Sequence, residues 1–258
     1  MTTANEIRGF ASVIPVSDPA GVPLARQKTL LYGMPKIGKT TLAAEYPNPL
    51  VLDAEYGTLN LAVPTWDTLI GKDRVNDPIR KWEEVLQATS VIEGLKDVEG
   101  TLVIDTANEV FGWCREYVLR TNGWDHETDG AYGKGWRAVR DEFSGWCRRL
   151  TGLPYGLIFV AHENTIEIES ATEKYEKTVP RMDKACKEII EPMVDIILYA
   201  HSRTFPEQGI HAPVQVVQTK PTKQVTSGER GNNPRLPVYV SPMTYEALNA
   251  AWTGQKSA

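Results

Sequence analysis

The chain has 258 residues, a net charge of −5, 41% apolar residues and 24% charged residues. That length and composition can bury a substantial core, which excludes a disordered or fibrous protein. The acidic balance excludes nucleic-acid binding by bulk charge, so any such contact needs a local patch.

Residues 1–27 mix Gly, Pro, Ser and Asp without a clear period. They read as an N-terminal arm, lying on the surface or pairing with a neighbour. A core follows over 28–240, and 241–258 reads as a C-terminal helix and tail. The first predicted strand, Lys28 to Tyr32, ends in Gly33. A helix is predicted from Thr40 to about Tyr46, stopped by Pro47. Leu50-Val51-Leu52 is a buried-type strand with Asp53, Glu55 and Gly57 at its end. Pro78 opens a helix whose apolar stripe is Ile79, Trp82, Val85, Leu86 and Thr89. Thr101 to Ile104 is an apolar strand ending in Asp105, and a helix follows over about 108–120.

Gly123 to Gly135 is glycine-rich and loop-like. Trp136, Val139, Phe143, Trp146, Cys147 and Leu150 then fit one helical stripe, which predicts core packing for Trp136. Gly156 to Ala161 is a strand followed by His162 and Glu163. Residues 164–187 are polar and rich in both charges. Val194 to Tyr199 and Val214 to Gln218 are further strands, and a short helix closes the chain near Tyr245 to Trp252. Strands alternate with helices, and the strands are uninterrupted apolar runs. That predicts an α/β fold with a mainly parallel central sheet flanked by helices. In such sheets ligands bind beyond the C-terminal strand ends.

Cys114, Cys147 and Cys186 are dispersed and form no CxxC pair, which excludes a disulfide framework or a thiolate zinc site. MTTANEIRGF lacks an apolar run, and no stretch reaches the ~18 apolar residues that span a bilayer. The expectation is a soluble, cytoplasmic chain with no membrane partner.

Gly33-Met34-Pro35-Lys36-Ile37-Gly38-Lys39-Thr40 matches GxxxxGK[ST], with a strand before it and a helix after it. Backbone N–H groups of such a loop bind phosphate oxygens, helped by the positive end of the helix. With Thr41, these residues are the expected nucleotide site. Lys39 reaches the β- and γ-phosphates, and the Thr40 hydroxyl holds Mg²⁺ of a bound ATP. Asp105 is the expected second Mg²⁺ ligand. Glu55 is a candidate to activate the attacking water, with Asp53 as its rival.

The order strand, GxxxxGKT, helix, strand, DAE, strand with terminal Asp resembles the RecA-type P-loop ATPase core. GMPKIGKTTLA, LVLDAEYGT, TLVIDT and AYGKGW together resemble the phage-encoded RecA-like ATPases of the Sak single-strand-annealing type. The resemblance covers about Lys28 to Arg235. It implies catalysis by Glu55 and γ-phosphate sensing by His162, whose bland alternative is a satisfied strand-end polar residue. It also implies that Lys220 and Lys223 act on a neighbouring subunit's nucleotide, with Arg230 as another candidate; solvated surface charge is the alternative. The implied partners are single-stranded DNA, a single-strand-binding protein, and further copies of the chain in a ring or filament.

Residues 173–187 carry Lys174, Lys177, Arg181, Lys184 and Lys187 against Glu173, Glu176 and Asp183, an excess of two cations. As a loop they could track a phosphate backbone, with Tyr175 stacking on a base. Helix residues 134–149 carry an excess of three cations. Two other readings stay open at this point: a nucleotide switch such as a helicase loader, and a small-molecule kinase.

Overall fold

Strand β1 (Lys28–Gly33) turns Leu30 and Tyr32 to one face of a sheet and Leu31 to the other, all fully buried. The same two-sided burial recurs in β2 (Pro49–Asp53), β3 (Thr101–Asp105) and the first half of β4 (Gly156–Glu169). This is why these strands read as unbroken apolar runs. The computed structural model describes residues 21–95, 98–169, 173–231 and 234–254. Residues 1–20 of the expected 1–27 arm and the last four residues of the chain lie outside these.

β5 (Lys174–Arg181), β6 (Ile196–Phe205), β7 (Ile210–Gln218), β8 (Gly228–Glu229) and β9 (Tyr239–Val240) complete a nine-stranded sheet. Its main order is β2-β3-β4-β1-β6-β7-β9. β2, β3, β4, β1 and β6 are mutually parallel, while β7, β8 and β9 pair antiparallel. β1 therefore lies between β4 and β6, with its end residue Gly33 beside His162 and Ala200. Asp53 and Asp105 are register partners at the ends of β2 and β3. Gly33, Asp53, Asp105 and His162 come together at one end of the sheet because parallel pairing aligns the C-terminal strand ends.

Helices α1 (Lys39–Ala44), α2 (Trp82–Gly94), α3 (Ala107–Asn122), α4 (Lys134–Thr151), α5 (Lys184–Met193) and α6 (Tyr245–Thr253) cover the two faces. α2 to α5 pack on the Leu30 face, around Trp82, Phe111, Phe143 and Trp146. Trp146 Nε1 donates to Thr89 Oγ1 at 2.9 Å and Trp82 Nε1 to Glu142 Oε1 at 2.8 Å, so both indoles are buried without an orphan donor. α1 and α6 cover the Leu31 face.

Two features depart from the sequence reading. Trp136 is 46% exposed: the α4 stripe joins the core cluster only from Val139 onward, and the Trp136 ring lies edge-on to His126 instead. Residues 164–169 and 174–181 are strands, not a loop. The outer half of β4 pairs with β5 from His162↔Arg181 to Glu169↔Lys174, forming a hairpin beyond the parallel sheet. Ile166 and Ile168 alternate with Glu167 and Glu169, the period of a half-covered strand. The other edge of β5 is held by Thr178, which pairs with the 224–226 segment through Thr178 N to Gln224 O (2.7 Å) and Thr226 N to Thr178 O (3.1 Å). The pairing also changes the charge. Glu163, Glu167 and Glu169 outweigh the single excess cation of 173–181, so residues 162–169 and 173–181, counting Glu173 just before β5, together carry net −2.

Candidate functional site

Gly33 ends β1 where a Cβ would lie 2.1 Å from the Ala200 carbonyl oxygen, so only glycine lets β1 and β6 close at this point. The chain then turns through Lys36 (φ 65°) and Gly38 (φ 102°) before α1 begins at Lys39. Positive φ alternating with ordinary φ is the backbone pattern that makes concave, anion-binding rows of N–H groups.

Around this loop lies a cavity of about 500 Å³, lined by Pro35, Lys36, Gly38, Lys39, Thr40 and Thr41 from the loop side. Glu55, Gly57, Asp105 and His162 close it from the other strand ends. Gly33, Met34 and Ile37 shape the loop without lining the cavity. A larger cavity, about 920 Å³, opens beside Arg26, Glu99, Arg235 and Trp252 at the opposite edge of the sheet. It contains none of the acid–base groups above.

Lys39 is 5% exposed and folds back on its own loop, donating from Nζ to Gly33 O (3.0 Å) and Met34 O (2.8 Å). Burial pulls its ammonium below the usual lysine range, against the opposing pull of Asp105, Glu55 and Glu163. Thr40 Oγ1 donates to Asp105 Oδ2 at 2.6 Å. Asp105 is 5% exposed, and its carboxyl is pushed up to about 6. Burial is the main cause; Asp53 and Glu55 add to it, while Thr40 and Lys39 oppose it. A buried carboxylate beside a hydroxyl on a phosphate loop is a donor pair that a hard divalent cation takes. A Cβ on Gly57 would come within 3.3 Å of Thr40 Oγ1, so glycine keeps this corner open. These residues fit Mg²⁺ and a nucleotide's phosphates.

Asp53 and Glu55, rivals in the sequence, separate clearly. Asp53 accepts from Gly57 N (2.9 Å), Thr58 N (2.8 Å) and the Thr58 hydroxyl, so it braces the turn that carries Glu55. Glu55 faces the cavity. Its Oε1 accepts from Thr106 Oγ1 at 2.8 Å and its Oε2 from His162 Nε2 at 2.8 Å. His162 sits where β4 leaves the parallel sheet for the hairpin, in register with both Gly33 and Arg181. Thr106 is a contact that no sequence pattern announced.

The other expected cations are engaged within their own chain. Lys220 Nζ pairs with Glu229 Oε1 at 2.6 Å, and the Glu229 side chain is 3% exposed. Lys223 pairs with Glu173 and lies over the Tyr175 ring, 4.5 Å from its centre, so Tyr175 has a cation on its face. Arg230 donates to Val194 O at 3.0 Å and lies 3.6 Å from Asp195. Those residues precede β6, at the sheet edge away from the phosphate loop. No helix among the described residues is long and apolar enough to cross a membrane.

Residues 25–231 match a family model described as an AAA domain, which spans most of the chain and all of the site above. A search of curated proteins finds no match to the chain.

Proposed function

The chain belongs to the AAA domain family of P-loop ATPases, and from that premise we propose an ATPase that works on single-stranded DNA in phage recombination, of the Sak type. The observation that carries the hydrolytic part is the convergence of Lys39, Thr40, Asp105, Glu55 and His162 on one cavity. The DNA part is supported by the sequence resemblance. The hairpin's net −2 moves the DNA contact away from a charge-tracking role for β4 and β5.

ATP is the substrate. Thr40 Oγ1 and Asp105 would hold Mg²⁺, which when bound would supply charge neutralisation on the phosphates. Lys39 leaves the carbonyls of Gly33 and Met34 for a phosphate oxygen. Glu55 accepts the proton of the attacking water, whose oxygen bonds to the γ-phosphorus as the bond to ADP breaks. His162 reports the state of the γ-phosphate to the hairpin. Assembly into a ring or filament would let Lys220 or Lys223 exchange Glu229 or Glu173 for a neighbour's phosphates. Turnover per subunit then rises with protein concentration. A single-strand-binding protein is the expected protein partner.

Steady-state ATP hydrolysis with and without single-stranded DNA, with Lys39→Ala as control, tests this reading. Stimulation by the DNA that is absent in the variant supports it. Hydrolysis indifferent to DNA overturns the DNA part, in favour of a partner-controlled switch such as a helicase loader. Phosphate transfer to a small acceptor in place of water overturns the hydrolytic part.

A further inference from the structure

We propose that Thr106 is a positioning residue that aims the Glu55 carboxylate at the attacking water. This role rests on the reading of Glu55 as the base.

Thr106 is the N-cap residue of α3, with φ −109° and ψ 153°. A threonine in that conformation ordinarily accepts a hydrogen bond from an N–H of the helix's first turn. Thr244 does this at the start of α6: with φ −133° and ψ 155°, its Oγ1 accepts from Ala247 N at 3.3 Å. Asp183 does the same for α5, accepting from Ala185 N at 2.9 Å. Thr106 makes no such cap. Its hydroxyl turns the other way and donates to Glu55 Oε1 at 2.8 Å. The sequence thus places a capping residue at a cap position, and the fold spends its hydroxyl on the site.

The surroundings make that bond effective. Thr106 is 2% exposed, so solvent does not compete for its hydroxyl, and hydrogen bonds to an ionised acceptor are the strong ones. The bond also continues a ladder. Asp53 and Asp105 are register partners, Ala54 N donates to Asp105 O at 2.6 Å, and Thr106 to Glu55 is the next rung. The end of β3, which carries Asp105, therefore also fixes Glu55. Metal ligand and base stand on one rigid pair of strand ends. With His162 on Oε2, each Glu55 oxygen has one fixed donor, and a carboxylate retains further lone pairs for a water. Without Thr106 the long Glu55 side chain keeps one holder and regains rotamers.

The test compares Thr106→Val and Thr106→Ser, each alone and combined with Glu55→Gln, by kcat and KM for ATP, with single-turnover assays for slow chains and thermal unfolding as a fold check. Thr106→Val is expected to lower kcat about tenfold, the worth of one hydrogen bond to a charged group, with KM within about twofold. Thr106→Ser, which keeps the donor, is expected to restore kcat to within about twofold. In the Glu55→Gln background Thr106→Val is expected to cost nothing further. Should Thr106→Val not fold, Thr106→Ala carries the same comparison. Unchanged kcat in Thr106→Val, while Glu55→Gln stops turnover, overturns the proposal and leaves the base reading intact. So does an equal loss in both backgrounds. Full turnover in Glu55→Gln overturns the base reading itself, and the role of Thr106 with it.

Discussion

Glu55 and His162 stand 107 positions apart in the chain and meet at 2.8 Å across the ends of β2 and β4. β3 lies between those strands, so the contact spans the strand that carries Asp105. The imidazole Nε2–H donates to Glu55 Oε2, and Nδ1 is buried without a hydrogen-bond partner. Among the described residues the His162 side chain thus has one hydrogen bond, and its partner is the proposed base.

From this follows a split between chemistry and coupling. His162→Ala is expected to lower kcat about tenfold while ATP affinity changes little, because Lys39, Thr40 and the loop are untouched. It is also expected to weaken any stimulation by single-stranded DNA, since His162 joins the cavity to the hairpin register. Kinetics with and without DNA check both points. Normal kcat with normal stimulation would reduce His162 to an ordinary strand-end residue.

Lys220 offers a second decision. Its partner Glu229 is buried and also accepts from Arg235 N (2.7 Å) and Leu236 N (3.0 Å), so the carboxylate holds the 229–236 loop together. Removing the lysine leaves a buried charge short of its cation. Lys220→Ala is expected to cost about 2 kcal/mol, below the full loss of a buried pair because the lysine is 24% exposed. Denaturant unfolding reads the cost. Turnover of the folded variant reads the trans role: a fall in kcat at unchanged stability would favour a cation serving a neighbour.

The phosphate loop was legible because its chemistry forces a spaced pattern of glycine, lysine and threonine, and β1, β2 and β3 because two-sided burial forces apolar runs. The β4–β5 hairpin was harder. Its alternation of Ile166 and Ile168 with Glu167 and Glu169 has strand period, but the charge density of 163–187 masks it. Trp136 misled because helical periodicity says which side a residue faces and not where the neighbouring layer ends. Thr106 left no trace, since a threonine after a strand-end Asp and before a helix is already explained as a cap.

His201 carries the pH prediction. It lies on β6, stacked on Tyr199 with ring centres 4.7 Å apart, and its Nε2 is buried without a hydrogen-bond partner. Burial holds its pKa below the usual 6.5, with Arg203 adding to the effect and the Ser202 backbone opposing it. The unfolded chain therefore takes up this proton first. Stability is lost as pH falls through 6.5 towards the folded value. His201→Phe keeps a flat ring in the stack and removes the titration. Its melting temperature should fall less between pH 7.5 and pH 5.5 than that of the native chain; equal falls would show that His201 does not titrate in this window.

Gly33 and Gly38 belong to one motif, and the structure gives them different reasons to be glycine. At Gly33 a Cβ would meet the Ala200 carbonyl oxygen at 2.1 Å and the Ala200 Cβ at 3.3 Å. Those atoms belong to the strand paired with β1, so relief requires β1 and β6 to part at the Gly33↔Ala200 rung. At Gly38 the nearest atom is Met243 Cε at 2.9 Å, the free end of a flexible side chain, and the obstacle is the backbone at φ 102°. Gly33→Ala is therefore expected to destabilise the fold by about 3 kcal/mol, the upper range of overpacking. Gly38→Ala is expected to cost about 1–2 kcal/mol of backbone strain. Both should lose nucleotide affinity, because both shape the same loop. Urea unfolding of the nucleotide-free chains gives the order, and fluorescent-nucleotide titration gives the binding. Equal stability losses would mean that β1 and β6 yield at this rung as easily as the loop does at Gly38. The glycine at the strand end would then answer to the phosphate alone.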